Sequence, residues 1–168
     1  MAGGIGSRFW PLSTSKKPKQ FLDVLGIGKS LLRLTFERML NTVPKDQIYI
    51  LTNTTYLSLV LDQLPEISEK QVLCEPLRKN TAPCIAFAAA KILKINPQAT
   101  LIVTPSDHLI LNQTRFNEII QTAIKVANES EQLVTLGIFP TRPDTGYGYI
   151  EFAKDKSIQK GEAKNVIQ

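Results

Sequence analysis

Apolar positions along the chain fall into two patterns that alternate. Four short runs, 47–52, 71–75, 100–105 and 133–138, are rich in β-branched and aliphatic residues without strict polar alternation. Strands buried on both faces read this way. Between them lie stretches of helical period. Ser30 is placed to cap a helix over 31–40 whose Leu32, Phe36 and Met39 share a face. A weaker helix is expected over 55–64. Thr81 is placed to cap a third that runs to about Ile95, with a core apolar almost all round. Phe116, Ile119, Ile120, Ala123, Ile124 and Ala127 sit three or four apart, the spacing of an amphipathic helix. After Pro143 the pattern changes to short β segments, 147–152 and 163–168.

Strand–helix alternation of this kind predicts an α/β fold: a Rossmann-like, mostly parallel sheet with flanking helices. Right-handed crossovers bring the carboxyl ends of parallel strands to one edge, where such sheets bind ligands. A glycine-rich turn at 3–8 has only Met1 and Ala2 before it, and the run 163–168 ends without a turn. Both ends read as cut. The expected organisation is one partial domain over 1–168, its first strand truncated and its later part missing, with the glycine loop anchored on one side only.

Composition narrows the partners. The 168 residues are 43% hydrophobic and 21% charged, which suits a folded domain and not a disordered chain. The net charge is +5. Nearly all of it comes from Arg8, Lys16, Lys17 and Lys19, in a segment of 22 residues without one acid, whereas residues 23–150 balance. Nucleic acid requires dispersed phosphate contacts, so a concentrated charge argues against it and for one small polyanion. Cys74 and Cys84 fit neither a disulfide framework nor a zinc pattern. No apolar run reaches the ~18 residues of a membrane helix, and no signal peptide opens the chain. Cytoplasmic location, with no membrane and no nucleic acid as partner, is the expectation.

The candidate chemistry begins in the run Gly3-Gly4-Ile5-Gly6-Ser7-Arg8-Phe9-Trp10-Pro11-Leu12-Ser13, followed by Pro18-Lys19-Gln20-Phe21-Leu22. Glycines let successive amides converge on phosphate oxygens; Arg8 offers a planar fork and Lys19 a point charge. An ordinary tight turn with solvated basic residues is the alternative. The dinucleotide fingerprint fails because Phe9 stands where its third glycine belongs, and a P-loop ending at Gly28-Lys29-Ser30 fails at Asp23. Phe9 and Trp10 are read as packing on the loop, Lys16 and Lys17 as solvated, and Gly26 and Gly28 as a turn into the Ser30 cap.

These two runs resemble the signature of sugar-nucleotide pyrophosphorylases, in the mannose-1-phosphate guanylyltransferase branch. Glu75-Pro76 with Asn80-Thr81-Ala82-Pro83, then Pro105-Ser106-Asp107-His108, then Pro143 with Thr145-Gly146-Tyr147-Gly148-Tyr149-Ile150 match in the same order. The resemblance implies transfer of GMP from GTP to mannose 1-phosphate, with pyrophosphate released. It implies catalytic roles for Arg8 and Lys19 and nucleotide binding by Gly3, Gly4, Gly6, Ser7, Glu75, Arg78, Asn80 and Thr81. Thr81 remains open between that role and a helix cap. Gly146 and Tyr147 would meet the sugar, or form a plain β-turn. Asp107 would hold Mg²⁺, which takes one or two carboxylates beside phosphate and water. His108 is read as structural or near the nucleotide. A homo-oligomer is possible within the family, and another nucleotide–sugar pair or a non-catalytic binding homologue are the competing readings.

Overall fold

The computed structural model describes residues 1–4, 6, 9–77, 79–130, 132–157 and 164–166. Ile5, Ser7, Arg8, Arg78, Glu131, 158–163, Ile167 and Gln168 lie outside the described residues. The chain divides into two compact units, Met1–Gln113 and Thr114–Gln168.

The first unit is built on two parallel strands, β1 (Ile50–Asn53) and β2 (Val72–Glu75), in register Ile50 to Val72 through Asn53 to Glu75. The strand expected over 47–52 runs over 50–53, and all four of its residues are buried, the polar Thr52 and Asn53 as well as Ile50 and Leu51. Leu51 and Leu73 face α3 (Thr81–Leu93), meeting Cys84 and Ala88 on the helix stripe that points at the sheet. Alternation sends Ile50 and Val72 to the other face. Below the sheet, α1 (Leu31–Met39) and α2 (Leu57–Gln63) bury Leu32, Phe36 and Val60.

Ser30 caps α1: its hydroxyl accepts from the Arg33 amide at 3.1 Å and donates to the Gln63 side chain at 2.6 Å. One small residue thus ends a helix and ties it to α2. Glu37 collects Lys29 at 2.8 Å and Arg33 at 2.9 Å, and Arg33 reaches Glu66 at 2.6 Å. Asp23 accepts from the Ile27 and Gly28 amides, and Gly26 and Gly28 take positive φ in the turn that leads into the cap.

Met1 and Ala2 occupy the place of a central strand. The Met1 ammonium donates to Thr104 O at 2.8 Å and the Ser106 amide donates to Met1 O at 3.1 Å, the bonding of a parallel pair. On the opposite side the Ala2 amide donates to Leu51 O at 2.6 Å. The glycine loop is therefore anchored on both flanks, contrary to the one-sided anchorage read from the sequence.

Other expectations are corrected. The run 100–105 is extended, and among the described residues it joins no ladder; Met1 bonds to Thr104 and Ser106 at its end. A strand needs a neighbour whose backbone groups run the length of the segment. Thr81 is not a cap: Asn80 holds the N-cap position and Thr81 is the first helical residue. Helix α3 ends at Leu93, two residues before the expected Ile95.

In the second unit, α4 (Gln113–Glu129, whose first residue belongs to the first unit) follows the predicted amphipathic period and buries Ile120 and Val126. Strands β3 (Phe152–Ser157) and β4 (Lys164–Val166) pair antiparallel with an irregular register. The expected strand 133–138 is absent: Leu133 and Ile138 are exposed, and the described residues of this unit form no other ladder. The β segment expected at 147–152 begins only at Phe152. Among the described residues no helix is long and apolar enough to cross a membrane.

Candidate active site

The carboxyl edge of the first unit's sheet gathers Gly3, Gly4, Gly6, Lys19, Glu75 and Asp107. Each arrives there for a local reason. Pro18 is fully buried, and the 3₁₀ turn Lys19–Phe21 follows it. Three residues per turn spread successive side chains about 120° apart. Phe21 enters the core, its ring edge-on to Tyr56 with centroids 5.7 Å apart. Tyr56 in turn donates to Ser15 O at 2.9 Å, and Gln63 donates to Phe21 O at 3.1 Å. With Phe21 fixed, Gln20 points beneath the glycine loop and Lys19 points along it.

Lys19 Nζ lies 3.6 Å from Asp107 Oδ2 and 3.4 Å from Asp107 O, and 5.4 Å from the Phe9 ring centroid. Both charged side chains stay partly open, at 30% and 41% exposure. The pair is therefore worth at most about 1 kcal/mol of stability and is accessible to a ligand. Asp107 follows the extended run 101–105, held at its end by the Met1 hydrogen bonds.

Gly6 has φ +66°, and a Cβ there would stand 2.9 Å from Lys19 Cβ and 3.0 Å from Lys19 N. The loop and the lysine turn touch backbone to backbone at this point, which only glycine permits. Gly3 approaches Glu75, whose Oε1 would be 3.5 Å from an added Cβ. Glu75 ends β2 and shares a hydrogen bond with the Cys84 thiol. Burial together with that carboxylate pushes Cys84 up to about 11, so it is a neutral thiol at pH 7. Burial also raises Cys74, and both cysteines are free.

Asn80 and Thr81 are exposed at the start of α3, with Asn80 in a left-handed conformation at φ 66°. His108 is exposed beside Asp107. Ser7, Arg8 and Arg78 lie outside the described residues. Gly146 and Tyr147 belong to the second unit, in a turn where Asp144 accepts from the Gly146 amide at 2.9 Å and the Tyr147 side chain is 73% exposed. Trp10 does not pack on its loop; it is 77% exposed, whereas Phe9 is partly buried against Lys19.

Two residues that hold the loop were not singled out by sequence reasoning. Gln20 and Ser13 are 3% and 2% exposed and both donate to loop carbonyls. Gln20 was visible only as part of the Pro-Lys-Gln-Phe run. A buried amide side chain leaves no periodic signal in a loop.

A family model for nucleotidyl transferases matches residues 1–164. The chain belongs to the nucleotidyl transferase family. Among relatives of this family, a mannose-1-phosphate guanylyltransferase from Salmonella montevideo is 46% identical over 152 residues, covering 89% of this chain and 31% of its own length. A protein named putative mannose-1-phosphate guanylyltransferase from Vibrio cholerae is 40% identical over 170 residues, covering 100% of this chain and 36% of that relative. The chain thus spans about a third of the curated relatives it matches. A crystal structure described as mannose-1-phosphate geranyltransferase from Thermus thermophilus superposes with TM-score 0.80 at 36% identity, covering 91% of this chain and 44% of that one. A second, described as mannose-6-phosphate isomerase from Helicobacter pylori, gives TM-score 0.69 at 37% identity, over 84% and 55% of the two chains. These likenesses fit the nucleotidyl transferase fold that the motif resemblance implies, and the α/β architecture expected from the strand–helix alternation.

Proposed function

We propose that this chain is the nucleotide-binding part of a mannose-1-phosphate guanylyltransferase catalytic domain. The observation that carries the reading is the meeting of the glycine loop with Lys19 and Asp107 at one sheet edge, in a chain whose relatives bear that name. The reaction is a displacement at the α-phosphorus of GTP. An oxygen of mannose 1-phosphate forms the new P–O bond, the bond to the β-phosphate bridge breaks, and pyrophosphate leaves with the electron pair. The attacking phosphate is already ionised, so positioning and charge stabilisation supply the catalysis.

The glycine loop, Gly3, Gly4, Gly6 and Ser7, would receive the triphosphate, with Arg8 on the leaving pyrophosphate. Lys19 would stand between the two anionic reactants and offset their repulsion. Glu75, Arg78, Asn80 and Thr81 would border the nucleoside, and Gly146 and Tyr147 the hexose.

The described residues contain no cluster of three His, Cys, Asp or Glu side chains able to cage a metal. Mg²⁺ does not need one: it binds through one or two carboxylates and fills its remaining positions with phosphate oxygens and water. Asp107, 41% exposed and next to Lys19, fits that use. Bound there, Mg²⁺ would neutralise phosphate charge. GTP and mannose 1-phosphate are water-soluble anions, in keeping with a cytoplasmic enzyme.

The test is pyrophosphate release by the full-length protein. Turnover is expected with GTP, mannose 1-phosphate and Mg²⁺ together, and loss of turnover on leaving out any one. Equal turnover with dTTP and glucose 1-phosphate would overturn the assignment of substrates.

A further inference from the structure

The protein grips the glycine loop by its carbonyl oxygens. Gln20 Nε2 donates to Ala2 O at 2.7 Å and to Gly4 O at 2.9 Å. A carboxamide has two N–H groups, and both are spent on carbonyls two residues apart. The Thr52 hydroxyl adds a second bond to Ala2 O at 3.1 Å. At the far end of the loop the Ser13 hydroxyl and the Phe9 amide both donate to Gly6 O.

This choice of atoms has a geometric consequence. In a trans peptide the C=O and N–H point in opposite directions. A carbonyl held against the protein therefore sends the amide of its own peptide the other way. Holding Ala2 O turns the Gly3 amide away from Gln20. Amides so aligned form a concave donor surface for an anion.

We propose that Gln20 is a positioning residue that aims the amides of the glycine loop at the phosphate chain of a nucleoside triphosphate. The inference rests on the functional reading above and deepens it: loop glycines permit the required conformation, and Gln20 selects it. A Gln20 that served only to fill space would support all nucleotides equally. One that aims amides matters more with each phosphate the ligand carries.

The experiment compares GTP, GDP and GMP affinities of the full-length protein and its Gln20→Met variant by calorimetry. In the wild type, affinity rises with phosphate number. In the variant, GTP is expected to weaken about tenfold, as when one charge-assisted hydrogen bond is lost, while GMP changes less than about twofold. A variant that keeps the wild-type ratio of GTP to GMP affinity, or weakens both alike, overturns this inference alone. A wild type whose affinity ignores phosphate number overturns the functional reading and this inference with it. If Gln20→Met fails to fold, Gln20→Leu gives the same comparison, since it removes both donors and adds no charge that would itself distinguish GTP from GMP.

Discussion

Replacing Lys19 with methionine is expected to lower turnover of the full-length enzyme by about 10²–10³-fold, the loss typical of removing one preorganised charge from a reacting centre. Methionine keeps much of the apolar stem and removes the cation, which lies 5.4 Å from the Phe9 ring centroid. The Lys19–Asp107 pair is partly exposed, at 30% and 41%, so stability should fall by no more than about 1 kcal/mol. That separation is what makes the variant informative. Steady-state pyrophosphate release gives the turnover and a thermal melt gives the stability. Unchanged turnover in a folded variant would remove Lys19 from the mechanism.

The second large effect concerns Gly6. Alanine there must take φ +66° and place its Cβ 2.9 Å from Lys19 Cβ and 3.0 Å from Lys19 N. The left-handed conformation costs about 1–2 kcal/mol, and forcing a methyl against backbone costs about 1–3 kcal/mol more. The loop can relieve the clash only by leaving Lys19, so turnover and stability should both drop. Gly4→Ala is the control, since an added Cβ meets nothing within 4 Å. Gly3→Ala meets Glu75 Oε1 at 3.5 Å, an ordinary contact. Melting temperatures of the three variants should show a clear loss for Gly6 alone. Equal losses in all three would mean that the loop does not have the close approach described.

Much of the first unit was legible because its signals are local. Ser30 stands one residue before an apolar period, and it caps α1. The run 47–52 lacks alternation, and β1, which overlaps it at residues 50–52, is buried on both faces. The α4 period repeats over 17 residues, so the helix is legible from a local pattern. Glu75 and Asp107 were visible as carboxylates after expected strands, and the glycine run and Lys19 as loop residues; the sheet edge brings them together.

What escaped the sequence depends on distant partners. Segment 101–105 is extended, but ladder formation depends on the backbone of a neighbouring strand, which a local pattern does not show. The run 133–138 has strand composition and forms no ladder. Thr81 and Asn80 are both good capping residues, and only the backbone angles show which one occupies the cap. Trp10 was assigned to loop packing by its apolar character, yet Phe9 takes that contact and Trp10 remains exposed. Gln20 reaches carbonyls 16 and 18 residues earlier in the chain, a contact invisible to any local pattern.

The glycine loop and the end of β2 are expected to respond to nucleotide as one site. Amide hydrogen exchange on the full-length protein, with and without GTP and Mg²⁺, tests it most directly. Peptides covering 1–22 and 71–80 should exchange more slowly with nucleotide bound, while those covering α1 and α2 should not change. Protection confined to other segments, with 1–22 unaffected by saturating GTP, would mean that the glycine loop does not hold the nucleotide.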